Sequence, residues 1–362
     1  MLECRMARVV EILGRRDGVT EILLDIDHPV KKAINYDEIT GSVSEGDILY
    51  LNTTAASLSL GTGGYHFVMI NCSRNDLTMT PGGHGMKVRY TPFQVKVPYA
   101  EEELRSESVI YNNPLDLSSK LICFGELHSM IPPLCAYFKY QCNHLRISYI
   151  MTDHGALPLS FSRNIDYLRK CKLVDSVITI GNAFGGDYEC VNIYTGLQTA
   201  AFVDKSDIVL VSMGPGITGT GTRYGFSGLE MGFYIDLTVR LGGMCCYIPR
   251  ISFADKRNRH YGISHHSVTV LSEILQSSIN LTLPILSKMQ TCHILKQLQE
   301  SNLYLKHKIS LADGSGIIKA MEHYGLDVTT MGRGIYDDPA FFLAIGAAAR
   351  KALALFYKKD RL

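Results

Sequence analysis

Residues 211 to 230, VSMGPGITGTGTRYGFSGLE, carry six glycines, three threonines and one arginine directly after the apolar run DIVLV. Glycine lets backbone amides come close to a ligand, while hydroxyls and a helix N-terminus add donors and positive potential, so this is the composition of an anion cradle. Gly214, Gly216, Gly219 and Gly221 supply the bare backbone, and Thr218, Thr220, Thr222 and Arg223 supply donors. Gly214 to Gly219 also spells G-x-G-x-x-G, which invites a dinucleotide-binding reading. Three features argue against it: the strand is about the fourth of its domain, Pro215 lacks an amide, and no acidic residue ends the next strand to hold a ribose. The plain alternative is a tight turn between strand and helix, for which the loop is long.

Further residues able to do chemistry follow the other short apolar runs. Glu126 and His128 follow LICFG, Asp153 and His154 follow ISYIM, Asp187 and Glu189 follow SVITIG, and Arg250, Asp255, His260, His265 and His266 follow MCCYI. Asp153, Asp187, His265 and His266 are the candidates for proton transfer, being of types that titrate near neutral pH once burial or a neighbour tunes them. Each has a simpler account: Asp153 suits an N-cap, and the glycines before Asp187 and Glu189 predict a helix start whose first turn welcomes acids. Arg250 begins RISFADKRNRH, the densest cationic run, which either clamps a phosphate or carboxylate or is a solvated loop.

Glu126, His128 and Glu189, with Asp187 and His265, are candidate ligands of a divalent metal. Adjacent histidines on a helix point about 100° apart, so His265 and His266 are not expected to share one ion, although either could join His260, His128 or a carboxylate. No nucleophile elbow, Walker loop or lysine placed for a Schiff base occurs in these turns, which disfavours serine hydrolases, P-loop NTPases and pyridoxal-phosphate enzymes.

These side chains need elements to hold them. From Arg8 to Tyr99 the pattern is short and turn-rich, with RVVEIL, GVTEILLDI, DILYLNTTAASLSL, HFVMINC and MKVRYTPFQVKV as antiparallel strands of a small barrel or sandwich. AEEELRSESVIYNNPLDLSS reads as a linker. After Lys120 five apolar runs alternate with helical periods, which predicts an α/β domain with an open, mainly parallel, Rossmann-like sheet. The division is therefore a β-rich domain over 1–110 and an α/β domain carrying the site over 118–362. In an open α/β sheet the loops at the carboxyl ends of the strands form the ligand crevice, and the candidates above all fall there.

Two domains suit 362 residues, and 46% hydrophobic with 20% charged residues is an ordinary globular balance. The net charge of +1 gives no global field towards nucleic acid or an anionic membrane, so neither is expected as a partner. PAFFLAIGAAARKALALF is broken by Arg350 and Lys351 and reads as a buried helix rather than a membrane span. The charged start MLECRMARVV does not read as an export signal, so export is not expected, and scattered cysteines without C-x-x-C suit reduced thiols in a cytoplasm.

The strings GELHSMIPP, YIMTDHGALPLSFS, TIGNAFGGDYECVNIY, MGPGITGTGTRYGFSGLE, PRISFADKRNRHYGISHH and MGRGIYDDPAFFLA, with NTTAASLSLGTGG and GMKVRYTPFQ, resemble a bacterial family of uncharacterised proteins, domain-of-unknown-function family 3866. The resemblance implies a bacterial, cytoplasmic protein and supplies no activity or catalytic residue. From the residues themselves the leading expectation is an enzyme holding a small phosphorylated or nucleotide-like ligand at the glycine-rich loop. A divalent-metal-dependent hydrolase and a non-catalytic metabolite-binding regulator are the alternatives, so the cofactor stays open between a metal and a nucleotide. The apolar C-terminal helix leaves homo-oligomerisation open.

Overall fold

The computed structural model describes residues 2–61, 63–74, 76–78, 82–104 and 108–359. The chain divides into two compact units, Met1–Pro98 with Ser160–Asp166, and Tyr99–Leu159 with Tyr167–Leu362.

The first unit is built on a closed five-stranded barrel: β1 (Cys4–Arg16), β2 (Val19–Asp25), β3 (Lys32–Tyr36), β4 (Ile48–Asn52) and β5 (His66–Asn71), in the order β1-β2-β3-β5-β4. β1 joins β2 through Arg16 opposite Val19, leaving Asp17-Gly18 as a two-residue turn with Gly18 at φ +70°. That is the Asp-Gly chemistry tight hairpins require. Register shifts after Val9 and Ile12 bend β1 so that it also pairs with β4 and closes the barrel. Ala7, Val9, Ile22, Leu24, Leu49, Leu51 and Val68 fill its interior. β3 is absent from the sequence reading, because KAINY offers only two aliphatic residues beside a run of charge. DILYLNTTAASLSL is not one strand: β4 ends at Asn52, whose side chain accepts the Thr54 amide at 3.1 Å and turns the chain into the short helix Thr54–Ser57. A two-stranded ribbon, β6 (Gly85–Lys87) and β7 (Val95–Val97), completes the unit.

The stretch read as a linker carries the short helices Ala100–Glu103 and Ser108–Asn112 and belongs to the second unit, residues 105–107 lying outside the described ones. This unit holds a six-stranded parallel sheet: β8 (Leu121–Gly125), β9 (Ile147–Thr152), β10 (Ser176–Ile180), β11 (Tyr188–Cys190), β12 (Ile208–Met213) and β13 (Met244–Ile248). The order is β11-β10-β9-β12-β8-β13. β8, β9, β10 and β12 are buried along their whole length, which is why each reads as a mainly apolar run instead of a polar–apolar alternation.

β11 replaces the helix start expected at FGGDYE. Its connection from β10 is a short return without a helix, held by Glu189, whose carboxylate accepts the Gly185 amide at 2.6 Å and the Thr179 hydroxyl at 2.7 Å. Asp187 holds the other side, accepting the Val177 amide at 2.7 Å and pairing with Arg169 at 2.9 Å.

Beyond β13 come the ribbon β14 (Ile251–Ser252) with β15 (Gly262–Ile263), the parallel pair β16 (Asn280–Pro284) with β17 (Lys308–Ala312), and the helix Pro339–Lys359. By length and composition that helix is apolar enough to cross a membrane, contrary to the expectation that Arg350 and Lys351 make it too broken. It is a core helix because of where it lies: 67% of its apolar window is buried, with Phe341, Phe342 and Ala344 at 1% exposure or less.

Candidate active site

β12 and β8 are neighbours, yet the chain leaves β8 for β9 on one side and leaves β12 for β13 on the other. Connections from these two neighbours therefore run to opposite sides of the sheet. Loop 214–226 leaves the carboxyl end of β12. Thr218 donates its amide to the Ser227 hydroxyl at 3.0 Å, Ser227 returns its own to the Thr218 carbonyl at 2.9 Å, and Thr220 donates to the Gly225 carbonyl at 2.8 Å. The loop is thus a hairpin, with Gly216 at φ +96° and Gly221 at φ +80°.

Several expected anion donors are engaged inside the protein. The Thr220 and Thr222 hydroxyls bond each other at 2.9 Å, and Arg223 gives two hydrogen bonds to Glu273, at 2.5 and 2.8 Å, beside one from the Tyr224 hydroxyl. The amides of Gly216, Gly219 and Gly221 donate to nothing among the described residues. Gly214 is bare for a steric reason, since a Cβ there would run into the Ala156 carbonyl, whereas Gly219 has room for one. A Cβ on Gly155 would collide with the Gly214 carbonyl, where Ala156 donates its amide to Pro215 at 2.7 Å, and a Cβ on Gly219 would sit 3.5 Å from the His266 ring. One end of the loop therefore touches the turn after β9, and the other touches the histidines beyond β13.

At those histidines the structure brings together what helix geometry argued apart. Ligand atoms of His260, His265 and His266 all lie within 4.8 Å of one another, and the His265 and His266 ring centroids are 4.3 Å apart. His265 is the first residue of the helix His265–Thr269, capped by Ser264, so the two rings swing together at a free helix end rather than along a helix side. Phe226 stacks on His266 with centroids 4.0 Å apart, and Ser264 Oγ lies 2.8 Å from His260 Nδ1. Burial lowers the pKa of all three, helped by Arg250 and Arg257 at His260, by Arg259, Arg250 and Arg257 at His265, and by His265, His260, Arg250 and Arg259 at His266; His260 and His266 fall to about 3. At neutral pH these are uncharged imidazoles.

Arg250, expected as an anion clamp, is buried in an ion pair with Asp255 at 3.1 Å, and Arg257 and Arg333 share the same carboxylate. Glu126 lies fully buried next to this network, bonded by the Tyr247 hydroxyl, with its Oε2 making no hydrogen bond. Burial pushes its pKa up to about 7, against the pull of Tyr247 and Arg250. His128, on a 3-10 turn, has Nδ1 3.1 Å from the Tyr149 hydroxyl, and burial lowers it to about 4. The metal set of Glu126, His128, Asp187, Glu189 and His265 is not assembled: Asp187 and Glu189 brace β11, His128 faces Tyr149, and only His265 joins the imidazole group.

Asp153 stands at the end of β9 and accepts the Asn182 amide at 2.9 Å. Beside it are two residues that sequence reasoning did not pick for catalysis, His154 and Glu230. His154 Nδ1 lies 2.7 Å from Glu230 Oε2 and 3.6 Å from Asp153 Oδ1; its side chain is half exposed, whereas that of Glu230 is 6% exposed. Thr152 donates to Glu230 Oε1 at 2.5 Å. Burial raises the Glu230 pKa, opposed by Thr152 and His154, and the same burial raises Tyr234 alongside it. Nothing in the text links Glu230 to position 154, since it opens the helix Glu230–Arg240 and there resembles any first-turn acid.

The family model described as a protein of unknown function, DUF3866, matches residues 32–349. The chain belongs to that family. No curated protein and no solved structure matches it. Membership spans both units and the whole carboxyl edge of the sheet, but assigns no residue a role.

Proposed function

We propose that the second unit is an enzyme that binds a small phosphorylated or nucleotide-like substrate at the carboxyl edge of the sheet and moves a proton on it through His154. The observation carrying this is the imidazole of His154, half exposed and 2.7 Å from the buried Glu230 carboxylate. A buried carboxylate 2.7 Å from one ring nitrogen orients the imidazole and leaves the outer nitrogen to take up and return a proton. Glu230 is the positioning group, and Asp153 adds a second negative charge beside the ring. In this reading the sheet acts as a Rossmann-like layer whose crevice lies at the β12/β8 reversal. The unengaged amides of Gly216, Gly219 and Gly221 receive the anion, and Arg259, exposed and without an ion-pair partner among the described residues, adds charge.

The test is a thermal-shift and turnover screen against sugar phosphates, nucleotides and inorganic phosphate. A phosphorylated ligand should raise the melting temperature, the gain should vanish in Gly216→Val, and His154→Gln should cut turnover by about 100-fold or more while binding survives. Binding without turnover in the native protein would favour the regulatory alternative. Turnover unchanged in His154→Gln would sink the assignment.

A further inference from the structure

The proton-transfer reading uses the turn after β9 and leaves the imidazole group beyond β13 unexplained. We propose that His260, His265 and His266 form a site for one first-row transition-metal dication of the zinc class, with an open coordination position for an anionic oxygen.

Three observations lead there. The ligand atoms lie within 4.8 Å of one another, close enough for modest side-chain movement to bring them around one ion. His265 Nε2 and His266 Nδ1 are buried and make no hydrogen bond, an unfavourable state that a shared ion would relieve. Outer partners are already in place: Ser264 Oγ, 2.8 Å from His260 Nδ1, can accept that N–H and leave Nε2 as the ligand, and the Phe226 face fixes the plane of His266.

The donor set selects the ion. Three imidazoles without carboxylate or thiolate suit zinc, cobalt, nickel or copper and not magnesium or calcium, which demand oxygen. Three protein ligands also leave the fourth tetrahedral position unfilled, as catalytic zinc sites do. The surrounding charge explains the anion. Asp255 is shared by Arg250 and Arg257, whereas Arg259 has no ion-pair partner among the described residues. It lines, with Arg223, Asn258, His265 and Gln297, a cleft of about 510 Å³. An uncompensated cation next to a dication disfavours the ion alone and favours the ion with an anionic ligand.

The experiment is cobalt(II) titration of chelator-stripped full-length protein, read by its visible d–d absorption and by metal analysis. One cobalt per chain with four- or five-coordinate bands is expected, displaced by zinc and perturbed by inorganic phosphate. His265→Ala, the most exposed of the three, should weaken binding beyond the ~10–100-fold typical of losing an outer partner, as should His260→Ala and His266→Ala where they fold. His323→Ala, on another helix, should change nothing. Absence of stoichiometric cobalt from the native protein, or binding that survives His265→Ala unchanged, overturns the site, and a spectrum blind to phosphate overturns its open position.

Discussion

Glu126 sits where a carboxylate is hardest to keep charged, wholly buried with Oε2 unpaired. Its folded-state pKa of about 7 lies above the ordinary 4.5, so between those values the native protein keeps a proton that the unfolded chain releases. The sign follows: this residue's contribution is full below about pH 4.5, falls as pH rises, and is lost above about 7, a swing on the order of 3 kcal/mol. Glu126→Gln, which keeps the oxygen facing Tyr247, should flatten that slope and make the protein more stable than the parent at about pH 8 but not at about pH 4.5. Urea unfolding at the two pH values checks it, and parallel profiles for both proteins would refute the assignment. The buried histidines act in the opposite sense, since His128, His260 and His266 have lowered values and disfavour folding once acid protonates them.

At the scale of elements, the glycine loop is positioned by backbone contact as much as by hydrogen bonds. Gly155 and the Gly214 carbonyl approach too closely for any side chain between them. Gly155→Ala should therefore cost about 1–3 kcal/mol, because the loop or the turn after β9 must move apart, and it should weaken ligand binding while leaving β8 and β13 intact. Melting temperature and amide exchange over 208–226 measure both effects; unaltered stability would mean that the two turns are not locked together. β11 makes the same point from the other side. Its two acids, which a pattern of glycines and carboxylates places at a helix start, are consumed in bracing a short return between parallel strands.

Across the whole molecule, the chain enters the first unit twice, at its start and again over Ser160–Asp166. Within that unit Glu21 ties the second visit to the barrel, accepting from Arg163 at 2.6 Å and from the Tyr65 hydroxyl at 2.9 Å while also pairing with Arg16. Removing the charge with Glu21→Gln should loosen the segment by on the order of 1 kcal/mol, seen as roughly fivefold faster amide exchange over 163–166 with the barrel strands unaffected. Unchanged exchange there would show that packing alone holds it.

The sequence by itself determined the elements whose signal is local. β8, β9, β10 and β12 are buried, mainly apolar runs, β13 is buried over its last three residues, and Asp17-Gly18 can form little other than a tight turn. It also brought the candidate loops to one edge, because strand and helix alternate. Only the tertiary structure decided which of those residues meet. His154 with Glu230, and His260 with His265 and His266, are brought together by strand order and by rings swinging around a helix end. The same packing gave Arg250 to Asp255 and Glu189 to the amides of Gly185 and Gly186. The reason is physical: periodicity encodes which face of an element is buried, whereas pairing between polar side chains depends on distances set by every strand between them.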